Sequence, residues 1–227
     1  MLNILFEDNH LLIVNKPSGM LVQIDKTSNT SLEIEAQQYI KNKYAKPGDA
    51  FVGIPHRLDR PTTGIVIVAR TSKALVRLNE GFKDHTIKKT YWAIVKQKPA
   101  KTKDTLTHYL LKNESKNISK AHIKEVKGGL LAKLSYEVKA SSDKYHLLEI
   151  DLHTGRHHQI RAQLQAIGCS IKGDLKYGSE RSNPDGSICL HARKVAFEHP
   201  VKKELLTITA PAPNDPLWNY FEEELKK

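Results

Sequence analysis

Two cysteines in 227 residues is the first scarcity in this chain. Cys169 and Cys189 form no CxxC pattern, so neither a disulfide framework nor a zinc ribbon is indicated, and reduced, buried thiols are the default. Long apolar runs are missing too: none approaches the ~20 residues that a membrane helix requires. The opening residues, Met1-Leu2-Asn3-Ile4-Leu5-Phe6-Glu7-Asp8, carry no basic segment ahead of their short apolar stretch, which excludes a recognisable secretory signal. A soluble, cytoplasmic protein with no membrane partner is expected. Internal repeats, linkers and low-complexity segments are also lacking, which argues against solenoids and tethered modules. Lys16-Pro17-Ser18-Gly19 lacks the glycine spacing of a phosphate-cradling P-loop and reads as a structural turn.

Positive charge, by contrast, is plentiful. Lys and Arg total 36 against 25 Asp and Glu, a formal net charge of +11. Such an excess favours phosphate-bearing partners through counterion release and long-range steering. With 39% hydrophobic residues the chain can bury a sizeable core, in one large domain or two intimately packed halves.

The most informative segment is Pro55-His56-Arg57-Leu58-Asp59-Arg60-Pro61-Thr62-Thr63-Gly64. It sets one carboxylate among three basic side chains, in a turn just before the apolar run Ile65-Val66-Ile67-Val68-Ala69. Alone, Asp59 is an ordinary turn-former that accepts hydrogen bonds from nearby amides. On so basic a chain it also reads as an ionised nucleophile or base facing a polyanion, with nucleic acid the candidate substrate.

Leu11-Leu12-Ile13-Val14 predicts a buried strand. Thr30 and Glu33 resemble a capping box for a helix from about Ser31 towards Lys43, and Ser72 is placed as the cap of a helix carrying Leu75, Leu78 and Phe82, closed near Gly81. Thr90 to Val95, Ala132 to Val138, His146 to Leu152, Leu190 to Phe197 and Leu205 to Thr209 read as strands. The Lys-rich region from Gln97 to Lys120 reads as a strand or hairpin with solvated turns, most simply a solvated face, with RNA contact as a close second. Thr154-Gly155-Arg156 is expected to launch a helix with Ile160, Leu164 and Ile167 on its core stripe and His157 and Arg161 sharing a side. A last helix, Pro216 to Glu224, is expected to pack Leu217, Tyr220 and Phe221. The result is an α+β fold on an extended, largely antiparallel sheet.

Three blocks coincide in order: His56-Arg57-Leu58-Asp59 with Thr62-Thr63-Gly64; Lys89-Thr90-Tyr91; and Thr154-Gly155-Arg156-His157-His158-Gln159-Ile160-Arg161. Together with Asn15-Lys16-Pro17-Ser18-Gly19, Lys172-Gly173-Asp174, Tyr177-Gly178, Leu190-His191-Ala192 and Phe197-Glu198-His199-Pro200, they resemble the RluA-type family of RNA pseudouridine synthases along nearly the whole chain. The resemblance implies the pseudouridine synthase fold, a mixed, largely antiparallel sheet flanked by helices with a central active-site cleft. It implies Asp59 as the catalytic aspartate, Tyr91 as the tyrosine stacking on the target base and Arg161 as the arginine pairing with that aspartate. Arg57 resembles the arginine that helps displace the base, and Leu190 the apolar residue lining the uracil pocket; His56, Lys89 and Arg156, from the same blocks, are assigned to substrate binding. Thr63 departs from the more usual serine but keeps the hydroxyl. Many relatives carry an amino-terminal S4 RNA-binding domain; here the first block lies within about twenty residues of Met1, so a single catalytic domain spanning 1–227 is expected.

Isomerising uridine breaks the glycosidic bond, rotates the uracil and joins C5 to C1′ with composition unchanged, so no cofactor is required. What is needed is a carboxylate beside C1′ and C2′ and a slot for the detached base. Asp59 can act as nucleophile at C1′ or as base for the 2′ proton, and the residues do not choose between these routes. In a dry pocket the carboxylate would tend to protonate. A guanidinium near 4 Å contributes about 4 kcal/mol at an effective dielectric near 20, enough to keep it charged. An everted base loses its stacking, and an aromatic face restores about 1–3 kcal/mol of it; Tyr91 offers that face. The competing reading from another class is a catalytically idle RNA-binding or RNA-folding module on the same scaffold. A zinc site on His153, His157 and His158 is disfavoured because Thr154-Gly155 interrupts the run and no Cys or carboxylate completes a set. No metal and a monomer are expected, with ribosomal or transfer RNA stem-loops as partner.

Overall fold

The computed structural model describes residues 2–24 and 30–227. In chain order the elements are β1 (Ile4–Glu7), β2 (Leu11–Lys16), α1 (Leu32–Lys43), β3 (Thr63–Ala69), α2 (Ser72–Lys83), β4 (Lys88–Val95) and β5 (Lys103–Asn113). They continue with β6 (Ile118–His122), β7 (Leu130–Ser141), β8 (His146–Leu152), α3 (Gln159–Ala166), a 3-10 turn at Leu175–Tyr177, β9 (Leu190–Glu198), β10 (Leu205–Thr209) and α4 (Pro216–Glu224). They gather into two compact units, Met1–Lys88 with Ala192–Pro211, and Lys89–His191 with Ala212–Lys227.

In the first unit the unbroken apolar runs become strands buried on both faces. β2 and β3 pair antiparallel with Ile13 opposite Ile67, and every residue of β3 is buried. Fully removing such a side chain from water contributes about 1.5–3 kcal/mol, so this pair anchors the unit. β1 extends it beyond β2, and β9 with its antiparallel partner β10 lies on the side of β3. Gly64 makes the approach of β9 possible: at φ +110° it is in a conformation that L side chains rarely adopt, and a Cβ there would lie 2.4 Å from the Ala192 carbonyl oxygen. α1 buries Leu32, Ala36 and Ile40, one residue per turn. Its cap is Ser31, whose hydroxyl accepts from Ile34 N–H, not Thr30. α2 is likewise capped by Thr71, not Ser72, and runs through Gly81 to Lys83.

The second unit is a five-stranded antiparallel run in the order β4-β8-β7-β5-β6. α3 packs against β5 and β6, and α4 against β7. The Lys-rich region becomes the hairpin β5–β6. Its turn is held by Asn113 Oδ1, which accepts from Lys116 N–H and Ser115 O–H, while Asn117 takes the left-handed conformation at φ 47°. The expected helix at Thr154 begins only at Gln159, because His158 sits at φ 51° and cannot be helical. His157 therefore lies outside α3 and does not share a helical side with Arg161. In α4 the buried pair is Trp218 and Phe221, whereas Tyr220 is exposed. The α+β class and the largely antiparallel pairing hold as expected. Among the described residues no helix is long and apolar enough to cross a membrane.

Candidate functional site

Asp59 stands in the loop that leads into β3, half-buried between exposed Arg57 and Arg60. Its carbonyl accepts from Thr62 N–H at 3.0 Å, closing a tight turn. The turn is clamped to the loop that follows β2: Gly19 N–H donates to the Arg60 carbonyl at 2.9 Å, and Arg60 Nε donates back to the Gly19 carbonyl at 3.0 Å. At the junction lies Lys16, the last residue of β2 and only 1% exposed. Its Nζ donates to the carbonyls of Pro17 (2.9 Å), Met20 (2.9 Å) and Arg60 (3.2 Å). Burial pulls the Lys16 ammonium down to about 8, while attraction to Asp59 opposes that fall. The lysine therefore knots the loop after β2 to the Asp59 turn and places a titratable positive charge in the field of the carboxylate. In the sequence Lys16-Pro17-Ser18-Gly19 reads as a structural turn beside the site and as part of one family block, with no role for Lys16 itself. The available signal was a lysine closing an otherwise apolar strand.

His56 is fixed from the same side. Its Nε2 accepts from Ile67 N–H at 2.9 Å, and its ring stacks on Phe82 with centroids 4.6 Å apart. Accepting at Nε2 requires that nitrogen to be unprotonated, so His56 acts as a neutral bracket between its loop and β3. That is a tethering role not foreseen in its assignment to substrate binding.

The second unit holds the other assigned residues. Alternation along β4 puts Lys89 and Tyr91 on one face. Tyr91, 8% exposed, stands opposite Ile150, while its neighbours Thr90 and Trp92 donate to Asp151 and Glu149. Lys89 Nζ lies beside Gly155, 3.8 Å from where a Cβ would stand, and burial lowers its pKa. Two motif blocks distant in sequence thus meet here.

The chain from Thr154 to Gln159 is organised by Gln159, which the sequence reading left without a role. Its Oε1 accepts from Thr154 O–H (2.7 Å) and Arg156 N–H (3.0 Å), and its Nε2 donates to the Lys133 carbonyl (3.1 Å). Arg156 is exposed, with Nε on the Leu131 carbonyl at 3.0 Å. The histidines are engaged by protein groups: His157 Nδ1 with Ser119 Oγ at 2.9 Å, His157 Nε2 with Asn117 Oδ1 at 3.1 Å and His158 Nδ1 with the Tyr177 hydroxyl at 3.0 Å. Among the described residues no group of three or more His, Cys, Asp or Glu side chains is arranged to hold a metal ion.

Arg161 projects from α3 into the interior, 4% exposed. Its Nε and Nη2 donate to Asp174 Oδ2 and Oδ1 at 2.7 and 2.8 Å, a bidentate pair, and its guanidinium carbon lies 4.9 Å from the Tyr177 ring centre. Asp174 is 1% exposed. Two such buried charges are rarely a net gain over apolar packing, but losing one partner costs about 3–5 kcal/mol. The pair thus fixes the orientation of Arg161, whose Nη1 lies outside the edge gripped by Asp174. Gly173 permits the turn that presents Asp174, with φ +89° and a would-be Cβ 2.7 Å from the Ser187 carbonyl. Leu190, 4% exposed, follows Cys189, whose backbone links Lys172 to Ile94 of β4.

The chain matches the family model described as RNA pseudouridylate synthase over residues 10–166. A protein of Bacillus subtilis named as an uncharacterized RNA pseudouridine synthase is 34% identical over 94% of this chain and 70% of its own length. Ribosomal large subunit pseudouridine synthase D of Zymomonas mobilis is 33% identical over 94% and 70%, and synthase C of Vibrio parahaemolyticus 31% identical over 92% and 65%. The chain thus spans about two thirds of the length of these relatives. Among solved structures, human RNA pseudouridylate synthase domain containing 4 superposes with a TM-score of 0.81 at 21% identity, covering 99% of this chain and 93% of that one.

Proposed function

Because this chain belongs to the RNA pseudouridylate synthase family, we propose that it isomerises particular uridines of structured ribosomal or transfer RNA to pseudouridine, working as a cytoplasmic monomer. The observation that carries this reading is that the family match spans Asp59, Tyr91 and Arg161 together. Asp59 acts at the ribose of an everted nucleotide, as nucleophile at C1′ or as base for the 2′ proton. Its turn is held to the loop after β2 by Lys16, so the carboxylate is preorganised before RNA arrives. Tyr91 supplies an aromatic face to the displaced base. Arg161, oriented by Asp174, supplies a permanent positive charge to Asp59. Arg57 and Arg156, both exposed, and Lys89 bind the RNA.

The names of the Zymomonas and Vibrio relatives, large-subunit ribosomal synthases, favour ribosomal RNA as the first substrate to assay. The test is tritium release from total RNA labelled at uridine C5. Wild-type protein is expected to release label and Asp59→Asn none. Equal release by both removes Asp59 from the chemistry, and no release from any RNA leaves the idle binding module as the better reading.

A further inference from the structure

The lysines of the β5–β6 hairpin are not used by the chemistry above, and the strand register sorts them. Leu111 stands opposite Lys120, Tyr109 opposite Leu131, and Thr107 opposite Lys133, so these side chains share one face of the β6-β5-β7 ribbon. The other face carries Leu106, His108 and Leu110, all buried on the side of α3. On the open face Leu111 and Leu131 are 37% and 48% exposed. Lys120 and Lys133 are exposed and enter no ion pair among the described residues, whereas Lys112, of opposite parity, is paired with Glu114 at 2.6 Å. On the same face Asp151 stands opposite Ser135, two residues along β7 from Lys133, and Glu149 opposite Glu137 two residues further; Asp151 and Glu149 are bound to Thr90 and Trp92. One end is therefore basic, with an aromatic ring and two leucines between its charges.

This end is continuous with the motif loop. Arg156 Nε holds the Leu131 carbonyl, Lys133 N–H donates to Thr154 Oγ1 at 2.9 Å, and His157 is joined to Ser119 of β6. Exposed lysines flanking a tyrosine and aliphatic side chains suit a phosphodiester chain, which needs cations for its phosphates and flat or apolar surface for its bases and riboses. Two leucines are too little apolar surface for a protein interface, which buries about 800 Å² per partner.

We propose that the open face bearing Tyr109, Leu111, Lys120, Leu131 and Lys133 is an RNA-docking track, continuous with Arg156, that holds RNA flanking the nucleotide being modified. This rests on the reading that the substrate is RNA. It adds that affinity is supplied by a surface separate from the reacting groups.

The test is binding of unmodified total ribosomal RNA over a salt series, with tritium release measured in parallel. Lys120→Ala/Lys133→Ala is expected to lower the slope of log K against log salt by about 1.4 if single-stranded RNA is held and by about 1.8 for a duplex. KM should rise at least fivefold with kcat within twofold of wild type. Lys112→Ala, on the opposite face, should leave the slope unchanged. A double variant with wild-type slope and KM overturns the proposal, as does an equal effect of Lys112→Ala. So does a double variant that keeps naked-RNA binding but no longer co-sediments with ribosomal particles, since the face would then dock protein. If wild-type protein binds RNA with the expected slope yet releases no tritium, the catalytic reading fails while the track stands.

Discussion

Lys16 shows how much one residue can decide. A buried ammonium hydrogen-bonded to three carbonyls ties Asp59's turn to the preceding strand, and its pKa of about 8 lies below the ordinary lysine value of 10.5. The folded-state value is depressed, so below pH 8 both states hold the proton and the native state bears the full burial penalty. Between about 8 and 10.5 the unfolded chain keeps a proton that the native state has released, and stability rises with pH by up to about 3 kcal/mol. Urea unfolding at pH 7.5, 8.5 and 9.5 should therefore show wild type gaining on Lys16→Met. Parallel curves would mean that Lys16 does not titrate in this window. At Arg161, a lysine cannot reproduce the two-point grip on Asp174. Arg161→Lys is expected to lower kcat at least tenfold, about 1.4 kcal/mol of transition-state stabilisation, measured by tritium release; near-wild-type turnover would contradict the role given to the guanidinium.

At the scale of elements, local chemistry was legible wherever a segment's own residues decide its conformation. The apolar run Leu11-Val14 reads as a buried strand and folds as one in β2, whereas Ile65-Ala69, read only as an apolar run, becomes the fully buried β3, and Asp215 followed by Pro216 marks the start of α4. Helix caps were misplaced by one residue where two hydroxyl residues adjoin, Thr30-Ser31 and Thr71-Ser72, because either hydroxyl can cap a helix that starts one residue earlier or later. The late start of α3 was hidden for a different reason. The left-handed residue is His158, not glycine, and its ring is engaged by a tertiary hydrogen bond with the Tyr177 hydroxyl. Asp174 and Lys16 were hidden in the same way, since their partners lie 13 and 44 residues away. Among motif residues Gly64 has the plainest backbone reason. Gly64→Ala must strain φ and displace the β9 backbone, so a loss of about 2–5 kcal/mol is expected in chemical unfolding. A loss below 0.5 kcal/mol would show that β3 and β9 can part without penalty.

For the whole molecule, the +11 charge alone was a weak pointer to RNA, and so was any single family block, whereas the blocks occurring together in order were specific. The central claim is that this chain creates pseudouridine and that Asp59 is indispensable to it. Carbodiimide mapping of total RNA from a strain lacking the gene, complemented with wild type or Asp59→Asn, tests that most directly, since the product has the mass of the uridine it replaces. The account predicts modified positions that vanish on deletion, return with wild type and stay absent with Asp59→Asn. Identical maps in all the strains, or positions restored by the asparagine variant, would contradict it.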